Sequence, residues 1–116
     1  MKDRKINIKK MLDYIEKIES CIVGLDYGNF FLMEEKIAAT SFYLAQIAEH
    51  ASRFTEIERG QYPTIPWKYI RATRNIIVHD YDGLDIESFW NTITEDLPAL
   101  KKQLQEVLDK KSNIPT

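Results

Sequence analysis

The run Arg74-Asn75-Ile76-Ile77-Val78-His79-Asp80-Tyr81 gathers a permanent cation, a carboxamide, an imidazole and a phenol within eight residues. Arginine presents a planar fork of donors that matches phosphate oxygens, and histidine exchanges protons near neutral pH. Together they suit chemistry on a phosphodiester. One group would hold the charge that builds on phosphorus and the other would move the proton. Lys68 and Arg71 precede Arg74 at three-residue spacing and extend the positive character along the same segment.

A helix is the element that must carry these groups. Pro63 and Pro66 bias the residues before them toward extended backbone. Thr64 is then expected to cap, and Pro66 to open, a helix running from Pro66 or Trp67 to about Val78. Residues five apart lie about 140° around a helix axis, so Arg74 and His79 do not share a face. Two arrangements could unite them. The chain could fold back at His79-Asp80-Tyr81, or the site could combine groups from two copies of the chain. At a helix C-terminus beside Asp80, His79 is expected to titrate above its ordinary value.

The remaining sequence reads as scaffold. Ile8, Met11, Leu12, Ile15, Ile18 and Ile22 follow one helical face, and this first helix should end near Gly24. Asp26-Tyr27-Gly28-Asn29 is turn chemistry, with Asn29 a cap for a long second helix from about Phe30 to Arg59 that Gly60 would stop. Small residues such as Ala45, Ala48 and Ala51 would let another helix approach it closely. His50 falls on what reads as its polar face, without a second ligand at metal spacing. Asp85 can cap a helix with Ile86, Phe89, Trp90, Ile93 and Leu97 facing inward, and Pro98 predicts a kink or break before a last helix to about Leu108. The tail 110–116 reads as frayed. No period-two segment suggests a strand. The expected fold is all-α, one domain over residues 1–116, as an antiparallel up-and-down bundle of four to five helices.

Composition narrows the functional classes. With 116 residues, 44% apolar and 29% charged, the chain fits one ordinary globular core. A formal charge of −2 offers no general attraction to nucleic acid, so any contact with RNA must be local. The single cysteine, Cys21, reads as a small apolar filler on the first helix and excludes an internal disulfide. No metal site and no cofactor are expected. Without a membrane span or a signal-like apolar block, the expected location is cytoplasmic.

Ordered landmarks run through about half of the chain: Ile47-Ala48-Glu49, Tyr62-Pro63-Thr64-Ile65-Pro66-Trp67, Arg74-Asn75 with His79 and Tyr81, then Trp90 and Asp96-Leu97-Pro98. In these the sequence resembles the HepT-like branch of the HEPN superfamily. Ala48 and Ala72 stand where that family commonly has glycine. The resemblance implies a homodimer with the Arg-x4-His motifs of both subunits facing one cleft. It also implies a metal-independent endoribonuclease toxin, acting on tRNA or mRNA, of a type VII-like toxin-antitoxin system. On that reading Arg74 stabilises the transition-state phosphate, His79 is general acid or base, and Asn75 positions the ribose 2′ hydroxyl or the phosphate. Tyr81 would be the residue to which an MntA-like minimal nucleotidyltransferase antitoxin attaches AMP. The competing reading is a non-catalytic helical partner that presents substrate to a nucleotidyltransferase.

Overall fold

The computed structural model describes residues 4–79 and 85–113, with side chains for 4–74 and 85–109. Among these residues the fold is all-helical, and four helical limbs enclose one core. The first limb is α1 (Arg4–Ile22), which presents Ile8, Met11, Leu12, Ile15 and Ile18 to the interior as its periodicity predicts. Gly24, at φ 78°, takes the left-handed conformation that ends it, where a side chain would be strained.

The expected second helix is broken in two places. A one-turn helix α2 (Tyr27–Phe30) comes first, capped by Asp26, whose carboxylate accepts the Asn29 amide at 2.9 Å. Asp26 is therefore the cap, and Asn29 lies inside the turn. Phe30 is fully buried and packs on Trp90, with ring centroids 4.8 Å apart, which anchors this turn to the last limb. The second limb, α3 (Glu34–Ala51), then stops well short of Arg59. Its successor α4 (Glu56–Gln61) starts from a capping box: Thr55 Oγ1 accepts the Glu58 amide, and Glu58 Oε1 accepts the Thr55 amide. Two satisfied amides at Thr55 favour a new start there over continuation. Phe54, buried in the break, supplies apolar contact that kept the helical spacing intact in the sequence. Gly60 lies within α4 and is not a stop.

The third limb, α5 (Trp67–His79), agrees with the predicted helix to one residue. The last limb joins α6 (Ile86–Asn91), capped by Asp85 as expected, to α7 (Leu97–Asn113). Between them Thr92–Asp96 is π-helical. Of the kink or break expected at Pro98, the break does not occur. In a regular helix the proline ring would press on the Thr94 carbonyl and leave it without a donor. The wider turn carries the chain past it, with the Leu97 amide reaching back to Thr92 O. Side chains help occupy the same stretch, since Thr92 Oγ1 donates to Ser88 O and Thr94 Oγ1 to Trp90 O.

Contacts fix how the limbs lie. Asn7 meets His50 and Tyr14 meets Tyr43, so α1 and α3 run antiparallel. Arg4 pairs with Glu58 and lies over the Phe54 ring, tying the start of α1 to the α3–α4 break. Lys101 Nζ reaches Glu19 Oε1 at 3.0 Å between α7 and α1. Tyr69 of α5 donates its phenol to Asp96 in the π-helical stretch and lies 3.0 Å from Thr92 Oγ1. The result is the helical bundle expected from the sequence. Cys21 is half-buried on α1.

Candidate functional site

α5 packs against α3 with Ile70 and Thr73 buried, and Trp67 secures its first turn. The Trp67 indole donates to Arg59 O and Tyr62 O, each at 3.1 Å, and its ring lies 4.9 Å from Phe54. The helix is therefore fixed against the α3–α4 break before it reaches the motif.

Arg74 is half-exposed on α5, and its Nη2 lies 3.1 Å from Glu49 Oε1 on α3. An ion pair this open to water is weak, so the guanidinium can exchange the carboxylate for a phosphate. Arg71, one turn earlier and exposed, lines a narrow crevice with Ala48, Ala51, Ser52, Arg59 and Trp67. Lys68 is exposed as well. The structure thus brings Arg71 and Arg74 to the α3-facing border of α5. The helix includes position 79, whose register lies about 140° from position 74, so one α5 does not place both on a single face. The side chains of Asn75 and His79, and all of Tyr81, lie outside the described residues.

Two neighbours of the motif are not evident from sequence alone. Glu49 sits in the Ile47-Ala48-Glu49 landmark, which was the available signal, but its pairing with Arg74 depends on how α3 and α5 are aligned. Arg59 read as the end of a long helix, and its position beside Arg71 follows from the break at Thr55.

His50 corrects an expectation. It is buried between α1 and α3 and not on a polar face. Its ring stacks on Tyr14 at 6.0 Å, and Nδ1 faces Asn7 Oδ1 at 3.1 Å and an Arg53 guanidinium nitrogen at 3.3 Å. Nδ1 can donate to the first or accept from the second, not both. Burial, then the positive charges of Arg53 and Lys10, push its pKa below the ordinary value.

Among the described residues, no three His, Cys, Asp or Glu side chains gather as a ligand set. A larger cleft of about 270 Å³ lies elsewhere, walled by Leu44, Ile47, Leu97 and Leu100 with Tyr69 and Asp96 on its rim. It opens between α3, α5 and the last limb, around α5 from Arg74. No described helix is long and apolar enough to cross a membrane.

A family model described as HepT-like, "Ribonuclease HepT-like", matches residues 11–107, spanning every landmark and the whole Arg74–Tyr81 segment. The chain belongs to the HepT-like ribonuclease family. It is 29% identical over 107 residues to "Putative RNase MJ1380" of Methanocaldococcus jannaschii, covering 91% of this chain and 97% of that one. Against "Putative RNase TTE0752" of Caldanaerobacter subterraneus it is 26% identical over 112 residues, with 95% and 98% covered. Against "Probable ribonuclease HepT" of Thermococcus cleftensis it is 24% identical over 106 residues, with 91% and 96% covered. No solved structure matches. The enzyme class that the resemblance implies, ribonuclease, is that of the HepT-like family.

Proposed function

We propose that this protein is a metal-independent endoribonuclease that cuts RNA at a site built from Arg74, Asn75 and His79. The family match across the intact Arg-x4-His segment carries this reading. In the reaction the ribose 2′ oxygen attacks the adjacent phosphorus and the bond to the 5′ oxygen of the next nucleotide breaks. His79 takes the 2′ proton or gives one to the leaving 5′ oxygen, and Arg74 holds the added negative charge on the phosphoryl oxygens. Asn75 aligns the 2′ hydroxyl or the phosphate. The products are a 2′,3′-cyclic phosphate and a 5′ hydroxyl, so proton transfer and anion stabilisation suffice.

The separation of positions 74 and 79 around α5 supports a site shared between two copies of the chain in a homodimer. Two-fold pairing brings Arg74 of one subunit near His79 of the other and doubles the local positive charge, which offsets the net acidity. Lys68 and Arg71 guide the strand. As the toxin of a HEPN/MNT pair in the cytoplasm, the protein is silenced when an MntA-like nucleotidyltransferase attaches AMP to Tyr81. That modification puts a bulky anion where the RNA phosphate must sit.

Expression in a bacterium without the antitoxin tests this function. The wild type is expected to arrest growth, and His79→Ala or Arg74→Ala to relieve the arrest. Equal tolerance of all three would instead favour a non-catalytic partner that presents substrate to the transferase.

A further inference from the structure

Arg59 and Arg71 converge on one crevice at the junction of α3, α4 and α5, and among the described residues neither has a carboxylate within ion-pairing distance. The other motif cation nearby, Arg74, is paired with Glu49, and Arg4 is paired with Glu58. An anion resting at this crevice would meet positive charge from both residues.

The crevice holds them in place. Ala48 and Ala51 on its floor have no bulk to keep α5 away from α3, so Arg71 stands close to the α3–α4 break. Arg59 is half-buried, and its Nη1 donates to Phe54 O at 2.5 Å. That bond uses one of five guanidinium donors and orients the rest. The Arg59 carbonyl is bound by the Trp67 indole, so the residue is fixed at both ends. Such a held fork loses little freedom when it closes on a tetrahedral oxyanion. The space itself is only about 10 Å³, too small to enclose a ligand, so the anion must rest across its mouth.

We infer that Arg59 and Arg71 form a seat for one phosphodiester of single-stranded RNA, next to the phosphate engaged by Arg74. This rests on the ribonuclease reading. Arg71 and Arg74 are three residues apart on α5, an axial step of about 4.5 Å. With side chains of this length, neighbouring phosphates of one strand fall within reach of the two arginines. The seat sets the register of the strand, and so which bond is presented to Arg74. It contacts no reacting atom.

The test uses full-length His79→Ala protein, which is expected to bind without cutting, and a short labelled single-stranded oligoribonucleotide titrated across salt concentrations. Adding Arg71→Gln or Arg59→Gln should weaken binding about five- to tenfold and lower the slope of log K against log salt by about 0.7, the contribution of one single-strand phosphate. Because the phosphate is held only when both arginines grip it, losing either one vacates the seat, and the double variant should lose about the same slope as either single one. Arg71→Lys and Arg59→Lys should keep most of it, and Lys17→Gln, on α1, should leave it unchanged. If Arg59→Gln fails to fold for want of its bond to Phe54, the Arg71 pair carries the test. Unchanged slopes in Arg71→Gln, beside RNA binding that depends on Arg74, refute the seat and leave the ribonuclease reading intact. Additive slope losses refute a shared phosphate. No RNA binding by any form overturns both. Inorganic phosphate and AMP provide the other arm. Saturation of the Arg59 and Arg71 side-chain NMR signals by either, at concentrations where RNA has no effect, would overturn the seat in favour of a free-anion site.

Discussion

Arg74 Nη2 on α5 and Glu49 Oε1 on α3 are 3.1 Å apart, with 49% and 40% of the two side chains exposed. The pair links the motif helix to its neighbour while leaving the guanidinium open to solvent. An ion pair in this setting contributes between nothing and about 1 kcal/mol. It restrains Arg74 without consuming it.

Glu49→Gln should therefore change unfolding free energy by less than about 1 kcal/mol in urea titrations. RNA affinity should rise, because the phosphate no longer competes with an internal carboxylate. A loss of stability well above that range, or weaker RNA binding, would show that Glu49 is needed to hold Arg74 in place.

His50 should make the fold acid-sensitive. Its pKa is lowered from 6.5 by burial first and by Arg53 and Lys10 next, so the unfolded chain takes up this proton at higher pH than the folded one. The stability is complete above about pH 6.5 and falls as pH drops through that value. His50→Gln should flatten the dependence of unfolding free energy on pH between about 7 and 5. Glu58 and Asp85 have lowered pKa values, each held first by a backbone amide, of Thr55 and of Ser88 respectively. Their contribution is present above the ordinary carboxylate range and is lost at more acid pH. An imidazole signal of His50 titrating above its ordinary value would contradict the assignment.

Thr55→Ala removes one half of the capping box that starts α4. The expected loss is about 1 kcal/mol, with faster amide exchange in Glu56–Gln61. Because Glu58 also pairs with Arg4, the change should loosen the α1 contact at the same place. Unaltered exchange in α4 would show that packing of Phe54 and Trp67 alone sets the break.

Mixing inactive Arg74→Ala and His79→Ala proteins, under conditions that let subunits exchange, distinguishes a shared site from a single-chain one. In a shared two-fold site, each mixed dimer keeps one intact Arg74–His79 pair. Equal mixing then restores about a quarter of wild-type activity. No recovery, with exchange verified, would place both groups in one chain by a fold-back after α5.

The parts of this molecule legible in the sequence are those governed by local period and local capping. The face of α1, the start of α5 after two prolines and the Asp85 cap all follow from spacing and residue type. The sequence predicts one helix over Phe30–Arg59 because Ala51 and Phe54 keep a helical rhythm through a break, although Thr55 and Glu58 spell a capping box. Pro98 predicts a break only if the turn before it is regular, and the π-helical Thr92–Asp96 removes that premise. In the site, Arg74 and its neighbours were legible as residue types. The Glu49 pair and the Arg59–Arg71 crevice were not, since both arise from how α3, α4 and α5 align, which no local pattern records.

Whether Arg74 and His79 cut RNA without a metal is decided by incubating purified protein with tRNA and mRNA in EDTA beside His79→Ala and Arg74→Ala. Cleavage is expected from the wild type alone, with cyclic-phosphate and 5′-hydroxyl ends. Cleavage that requires added metal, or that persists in His79→Ala, would contradict it.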